Sequence, residues 1–121
     1  MEPDLVEFLH GSFRSVWSLE LLLALHGQPQ RVWTPAELIA ELRSSEAVVR
    51  QGIDDLLAAG LIVVEGDQDV RYNPASADQG ALVERLAEVY RVRPSAVRRL
   101  IVQRPAEKLR DFVEAVRIVK D

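Results

Sequence analysis

No cysteine occurs in the chain, which excludes disulfides, thiolate metal sites and cysteine nucleophiles and suits a reducing compartment. Histidine is scarce. His10 and His26 fall near the ends of predicted helices, where the dipole favours a cation, so both read as caps rather than ligands or acid–base groups. Gly11, Gly27, Gly52, Gly60, Gly66 and Gly80 stand singly, so no glycine-rich loop is available to cradle a phosphate. No apolar run reaches the roughly 18 residues of a membrane span. The stretch Leu19 to Leu25 is interrupted by Glu20 and ended by His26-Gly27. The opening Met1-Glu2-Pro3-Asp4 is acidic and lacks the basic start of a signal peptide. Paired carboxylates are missing as well: Asp54 and Asp55 are adjacent, so on a helix they point about 100° apart and cannot share a proton. Asp67 and Asp69 have no third ligand placed to make a calcium loop. The expectation is a cytoplasmic protein with no catalytic residue, no cofactor and no metal, and not an enzyme.

What is present is an ordinary globular composition. The 121 residues are 48% hydrophobic and 28% charged, which suits one domain with a core of its own and a helical extension. The apolar spacing predicts a short helix over Asp4 to His10. A second helix is predicted from about Ser12 to Leu25, with Phe13, Val16, Trp17, Leu21 and Leu25 as its core stripe. His26-Gly27-Gln28-Pro29 stops it. A third helix opens at Thr34-Pro35-Ala36-Glu37 and carries Leu38, Ile39 and Leu42. Thr34 is a good N-cap, Pro35 suits the first helical position and Glu37 completes a capping box. Trp33 and Leu38 stand at the spacing of a hydrophobic staple. After a tight Arg43-Ser44-Ser45 turn, Ser45 caps a fourth helix whose stripe is Val49, Ile53, Leu56 and Leu57. Gly60 sits where a left-handed turn would close that helix. From Leu61-Ile62 onward the apolar period falls from about 3.6 to about 2. Val63-Val64-Glu65, the polar tip Gly66-Asp67-Gln68-Asp69 and Val70-Arg71-Tyr72-Asn73 then read as a β-hairpin.

Helix, tight turn, capped helix and hairpin in that order, over Thr34 to Asn73, resemble the winged helix-turn-helix superfamily. The resemblance covers about a third of the chain and is specific for fold rather than for ligand. It implies a mostly α, α+β fold, a winged helix-turn-helix with a small β-hairpin wing and a C-terminal helical extension. Residues 1–75 would form the winged-helix domain with its N-terminal helices, and residues 76–121 the extension packed on it. In the resembling fold Arg31-Val32-Trp33 would be a short strand pairing with the wing. Most members bind duplex DNA, so the resemblance implies a small transcriptional regulator. Its DNA contacts would be Arg43, Ser44, Ser45, Ala47, Val48, Arg50 and Gln51, with Arg71 on the wing. Arginine can clamp guanine, glutamine can pair with adenine, and Ala47 or Val48 can touch a thymine methyl.

Charge points elsewhere. From Arg31 to Asn73 there are four basic residues against eight acidic ones, a balance of −4, and the wing tip is acidic. Duplex affinity rests on neutralised phosphates, so this is a thin electrostatic footprint for a DNA binder. Arg50 can instead pair with Glu46 or Asp54 at helical spacing. Gly52 in mid-helix costs roughly 1 kcal/mol against alanine, so another element should approach the backbone there. Helix one of the same domain is the expected neighbour, and a partner surface is the alternative.

The basic charge lies after Pro74, where ten Lys or Arg face seven acids. Ser76 and Gln79 resemble another capping box, opening a helix with Leu82, Val83, Leu86 and Tyr90. Pro94 and Pro105 each start a further helix. Arg91, Arg93, Arg98 and Arg99 make the densest patch, an alternative nucleic-acid or acidic-partner contact. This stretch weakly resembles a second helix-turn-helix, though Arg91 replaces the usual turn glycine. Its bland reading is a solvated helical hairpin whose arginines pair with Glu84, Glu88 and acids near the amino terminus. Stripes at the two ends, Leu5, Phe8 and Leu9 and then Leu109, Phe112, Val113 and Val116, suggest a homodimer or caps on the core. Two functional classes follow: a DNA-binding regulator, or a winged-helix protein-interaction module whose acidic wing and Ala47-Val48 surface meet a protein partner.

Overall fold

A computed structural model describes residues 2–103. The predicted helix after Pro105, with the Leu109, Phe112, Val113 and Val116 stripe, lies outside the described residues. Helix α1 (Pro3–Ser12) starts on a proline and buries Leu5 and Leu9. Phe8 packs partly on the core, and its ring meets Phe13 edge-on at 5.8 Å. This stripe is therefore spent within the fold.

Phe13 is buried but not helical: it caps α1 in an extended conformation. The next helix, α2 (Val16–Gly27), therefore begins later than the predicted Ser12. Ser15 is its true cap, because Ser15 and Ser18 exchange hydroxyl and backbone N–H groups in a reciprocal box at 3.3 Å. Leu19, Leu21, Leu22 and Leu25 are all buried, as expected of a helix that is apolar nearly all round and surrounded by others. Trp17, assigned to the core stripe from its spacing, is instead 44% exposed. It sits in the first turn of α2, where it shares an open groove with Val16, Glu20, Glu41 and Leu42.

Helix α3 (Pro35–Leu42) carries the expected box: the Thr34 hydroxyl accepts from the Glu37 N–H at 3.1 Å, and the Glu37 carboxylate accepts from the Thr34 N–H at 2.8 Å. Helix α4 (Glu46–Ala59) is capped by Ser45, which accepts from the Val48 N–H at 3.2 Å. Val49, Gly52, Asp55 and Leu56 form its buried side. A Cβ on Gly52 would lie 3.0 Å from Leu21 Cδ2 and 3.8 Å from Ser18 Cα, so α2 is the element that crosses close there. Leu57, placed in the stripe by its spacing, is exposed, because the α2 crossing centres on Gly52 and turns position 57 outward.

Strands β1 (Ile62–Glu65) and β2 (Asp69–Tyr72) form an antiparallel hairpin with Val63 opposite Arg71 and Val64 opposite Val70. The turn uses Gly66 at φ +79. The predicted strand at Arg31-Val32-Trp33 is reduced to one bridge pair, Trp33 with Val70. Trp33 spends both backbone groups on Val70, at 2.8 and 2.9 Å, and Val32 is exposed, so nothing extends the ladder. Helices α5 (Ala77–Val92) and α6 (Pro94–Val102) complete the described part. Ser76 caps α5 as expected, but the Gln79 side chain does not return to it. Its amide donates instead to the Ala59 carbonyl at 2.8 Å, tying α5 to the end of α4. Val83, Leu86, Val97 and Ile101 join the same core as Leu22, Leu38 and Leu56. The described chain is thus α+β and mostly helical, with a layout consistent with a winged helix.

Candidate functional site

One turn geometry closes α3 and α4 alike. At the end of α4, the Leu61 N–H reaches Leu56 O and the Gly60 N–H reaches Leu57 O, both at 3.1 Å, with Gly60 left-handed at φ 75. At the end of α3, the Ser44 N–H reaches Ile39 O at 3.1 Å and the Arg43 N–H reaches Ala40 O at 3.3 Å. Arg43 is left-handed at φ 52, the sole non-glycine residue at positive φ among the described residues. Both are Schellman closures, one filled by glycine and one by arginine. Arg43 is exposed and makes no ion pair among the described residues.

The turn delivers the chain into α4, where the expected contact residues gather. Ser44, Ser45, Ala47, Val48, Arg50 and Gln51 lie along the turn and the first half of the helix, with Val48 half-buried and Ala47, Arg50 and Gln51 exposed. Arg50 Nη2 donates to Glu46 Oε1 at 3.1 Å, the pairing anticipated from helical spacing. Gln51 Nε2 donates to Asp55 Oδ1 at 3.0 Å. Asp55 is buried, and its second oxygen has no hydrogen-bond partner among the described residues. The Arg14 guanidinium stands 4.0 Å from Asp55 Oδ1.

Arg71 is not brought to this group. Successive strand residues face opposite ways, so Val64 and its partner Val70 turn toward α4 while Arg71 and Glu65 take the other face of the hairpin. There both Arg71 Nε and Nη2 donate to Glu65 Oε1, at 3.0 and 2.8 Å.

Between α4 and the hairpin lies a cleft of about 150 Å³. Its floor is Ile39, Val49, Ile53, Val64 and Val70, and its rim is Glu46, Arg50, Asp54 and Gln68. Val64 is 45% exposed, unusual for a valine in a strand pressed against a helix. Sequence reasoning missed this cleft. Ile53 and Val64 each read as ordinary members of an apolar pattern, and only the crossing of helix and hairpin brings them together.

Nearby, the Arg31 guanidinium lies 3.5 Å from the Trp33 ring centre and donates to Glu37 at 2.9 Å. The Thr34 N–H first, then Arg31, hold the Glu37 carboxyl below its usual range. The alternative basic patch is partly consumed. Arg91 pairs with Glu88 at 2.6 Å, lowering the Glu88 carboxyl and raising the guanidinium. Arg98 donates to the Tyr90 hydroxyl at 2.9 Å and stands 3.7 Å from Glu20. Burial first, then the hydrogen bond to Glu20, raise the Tyr90 phenol. Arg93 and Arg99 are exposed and line a shallow groove with Val6 and Leu100. His10 bonds the Leu100 carbonyl at 3.1 Å and His26 bonds Glu84 at 2.8 Å, so both tie helices together.

Among the described residues no group of three or more His, Asp or Glu is placed to hold a metal ion, and no helix is long and apolar enough to cross a membrane. The chain matches no family of known proteins, no curated protein and no solved structure.

Proposed function

We propose that the chain is a winged-helix protein-interaction module, with the α4 and hairpin face as its docking surface and no catalytic role. The apolar cleft at the centre of that face carries the reading. A helix presented to duplex DNA needs a polar, cationic surface, whereas a protein interface has a desolvated apolar centre within a polar rim. Here half-buried Ile53 and exposed Val64 lie between charged side chains, over a buried Val70, and the hairpin tip offers Asp67 and Asp69 where phosphates would need cations. The arginines expected to hold phosphates are largely paired within the chain, Arg50 with Glu46 and Arg71 with Glu65.

A second reading, a DNA-binding transcriptional regulator, is favoured by Arg43. A non-glycine residue in the left-handed region costs about 1–2 kcal/mol, and such outliers gather at functional sites. Exposed ion pairs are worth only about 0–1 kcal/mol, so Arg50 can exchange Glu46 for a phosphate. In a homodimer, two copies of α4 would meet successive major grooves about one turn apart.

Titration of the full-length protein against random-sequence duplex DNA over a series of salt concentrations separates the two. The module reading expects no binding at low salt. Micromolar binding that weakens steeply with salt and is lost in the Arg43→Ala, Arg50→Ala double variant would replace it with the regulator. Binding that survives there but is lost in Arg98→Ala, Arg99→Ala would move the contact to α6.

A further inference from the structure

We infer that the cleft between α4 and the hairpin takes one apolar side chain of a partner protein, carried on a segment with Lys or Arg on either side of it. The inference rests on the module reading and names the chemistry of its partner. Volume sets the first part. An apolar cavity of about 150 Å³ accommodates a molecule the size of benzene, and this cleft measures about 150 Å³. One leucine, isoleucine, methionine or phenylalanine side chain fills it, and a helix laid along it does not. The floor offers such a side chain only carbon: Ile39, Ile53, Val64 and Val70.

Charge sets the second part. On the rim Arg50 is already neutralised by Glu46 at 3.1 Å, which leaves the Asp54 carboxylate without an ion-pair partner among the described residues. Beyond the rim, exposed Asp67 at the hairpin tip extends the negative surface, while Asp69, opposite Glu65, and the one cation of the hairpin, Arg71, bound to Glu65, belong to the far face. An approaching chain therefore meets carboxylates at both the helix side and the hairpin side of an apolar hole. Flanking cations match that field, and flanking acids or phosphates oppose it. The hot-spot pattern of a desolvated anchor ringed by polar contacts has the same layout.

Selection of a random peptide library displayed on phage against the full-length protein tests this, followed by titration of the enriched peptide in synthetic form. The expected winners carry one Leu, Ile, Met or Phe next to Lys or Arg. Their binding falls roughly tenfold or more in Val64→Lys and in Asp54→Lys, and is unchanged in Arg93→Ala, at the junction of α5 and α6 and outside the cleft. Val64 and Asp54 are both exposed, and circular dichroism of each variant verifies that the fold is kept. Winners without a basic residue, or indifferent to both substitutions, overturn the inference while leaving a protein-docking role elsewhere on the chain intact. No enrichment at all overturns it as well, and salt-sensitive DNA binding through Arg43 and Arg50 overturns the module reading with it.

Discussion

The turns on either side of α4 share one backbone geometry and serve different ends. After the helix, Gly60 takes the left-handed position, and the next residue, Leu61, is fully buried. A Cβ at position 60 would also press on Ala75 Cβ at 3.3 Å, so glycine is required there twice over, by torsion and by space. Before the helix, Arg43 takes the same position, and the next residue is Ser44, half-buried and polar. Arg43 is exposed, and glycine would hold the turn at lower cost. One turn is fitted to the interior, and the other leaves an arginine exposed at the entrance to α4.

The largest effect comes from breaking the inner turn. Gly60→Val puts a β-branched residue at φ 75 against Ala75 and should cost about 2–3 kcal/mol, lowering the urea midpoint without changing the slope. Gln79→Ala comes next. It leaves the Ala59 carbonyl without the 2.8 Å bond from the Gln79 amide, a loss of about 0.5–1.5 kcal/mol, and frees the end of α4 from α5. Faster hydrogen exchange at Gly60 and Leu61 than in the wild type would report that release.

Much of this geometry was legible in the residues. Thr34 with Glu37, Ser45, Ser76 and Gly60 announced their caps because each satisfies an orphan backbone group by its own side chain or torsion, and two-residue alternation announced the hairpin. Arg43 was not legible as a left-handed residue, since arginine carries no local preference for that region and its role follows only from the Schellman bonds around it. The start of α2 was misplaced because Phe13 looked helical by its spacing, while its burial is achieved in extended chain. Trp17 and Leu57 obeyed the helical period yet face outward, because period places a residue on a helix and only the neighbouring helix decides which arc is covered. The cleft was hidden for a related reason: Ile39, Ile53, Val64 and Val70 come from four elements or turns, and their convergence depends on how far the hairpin stands from α4.

Arg43→Gly sharpens the comparison from the other side. Relieving the left-handed arginine gains about 1–2 kcal/mol, and the extra freedom of glycine in the unfolded chain returns about 0.4–1 kcal/mol. A net rise in stability of roughly 0.5–1 kcal/mol is expected, read as a higher urea midpoint. A drop in stability would mean that the Arg43 side chain holds the turn in place, and the contrast with Gly60 would fail.

The smallest effect lies at the other end of α3 and appears only in acid. The Glu37 carboxyl is held below its usual 4.5, first by the Thr34 N–H and then by Arg31. Because the folded value is the depressed one, the contribution is present in full above the unfolded value and is lost as pH falls through the folded one. Glu37→Gln keeps a carbonyl oxygen for the Thr34 N–H but removes both the charge and the titration. Urea midpoints followed from neutral pH down to about 3 should therefore separate wild type from variant at neutrality and bring them together in acid. Parallel curves over that range would assign the α3 start to the Thr34 hydroxyl alone. The turn at Arg43 would then hang on a helix anchored by its neutral cap, with no share for the Arg31 to Glu37 pair.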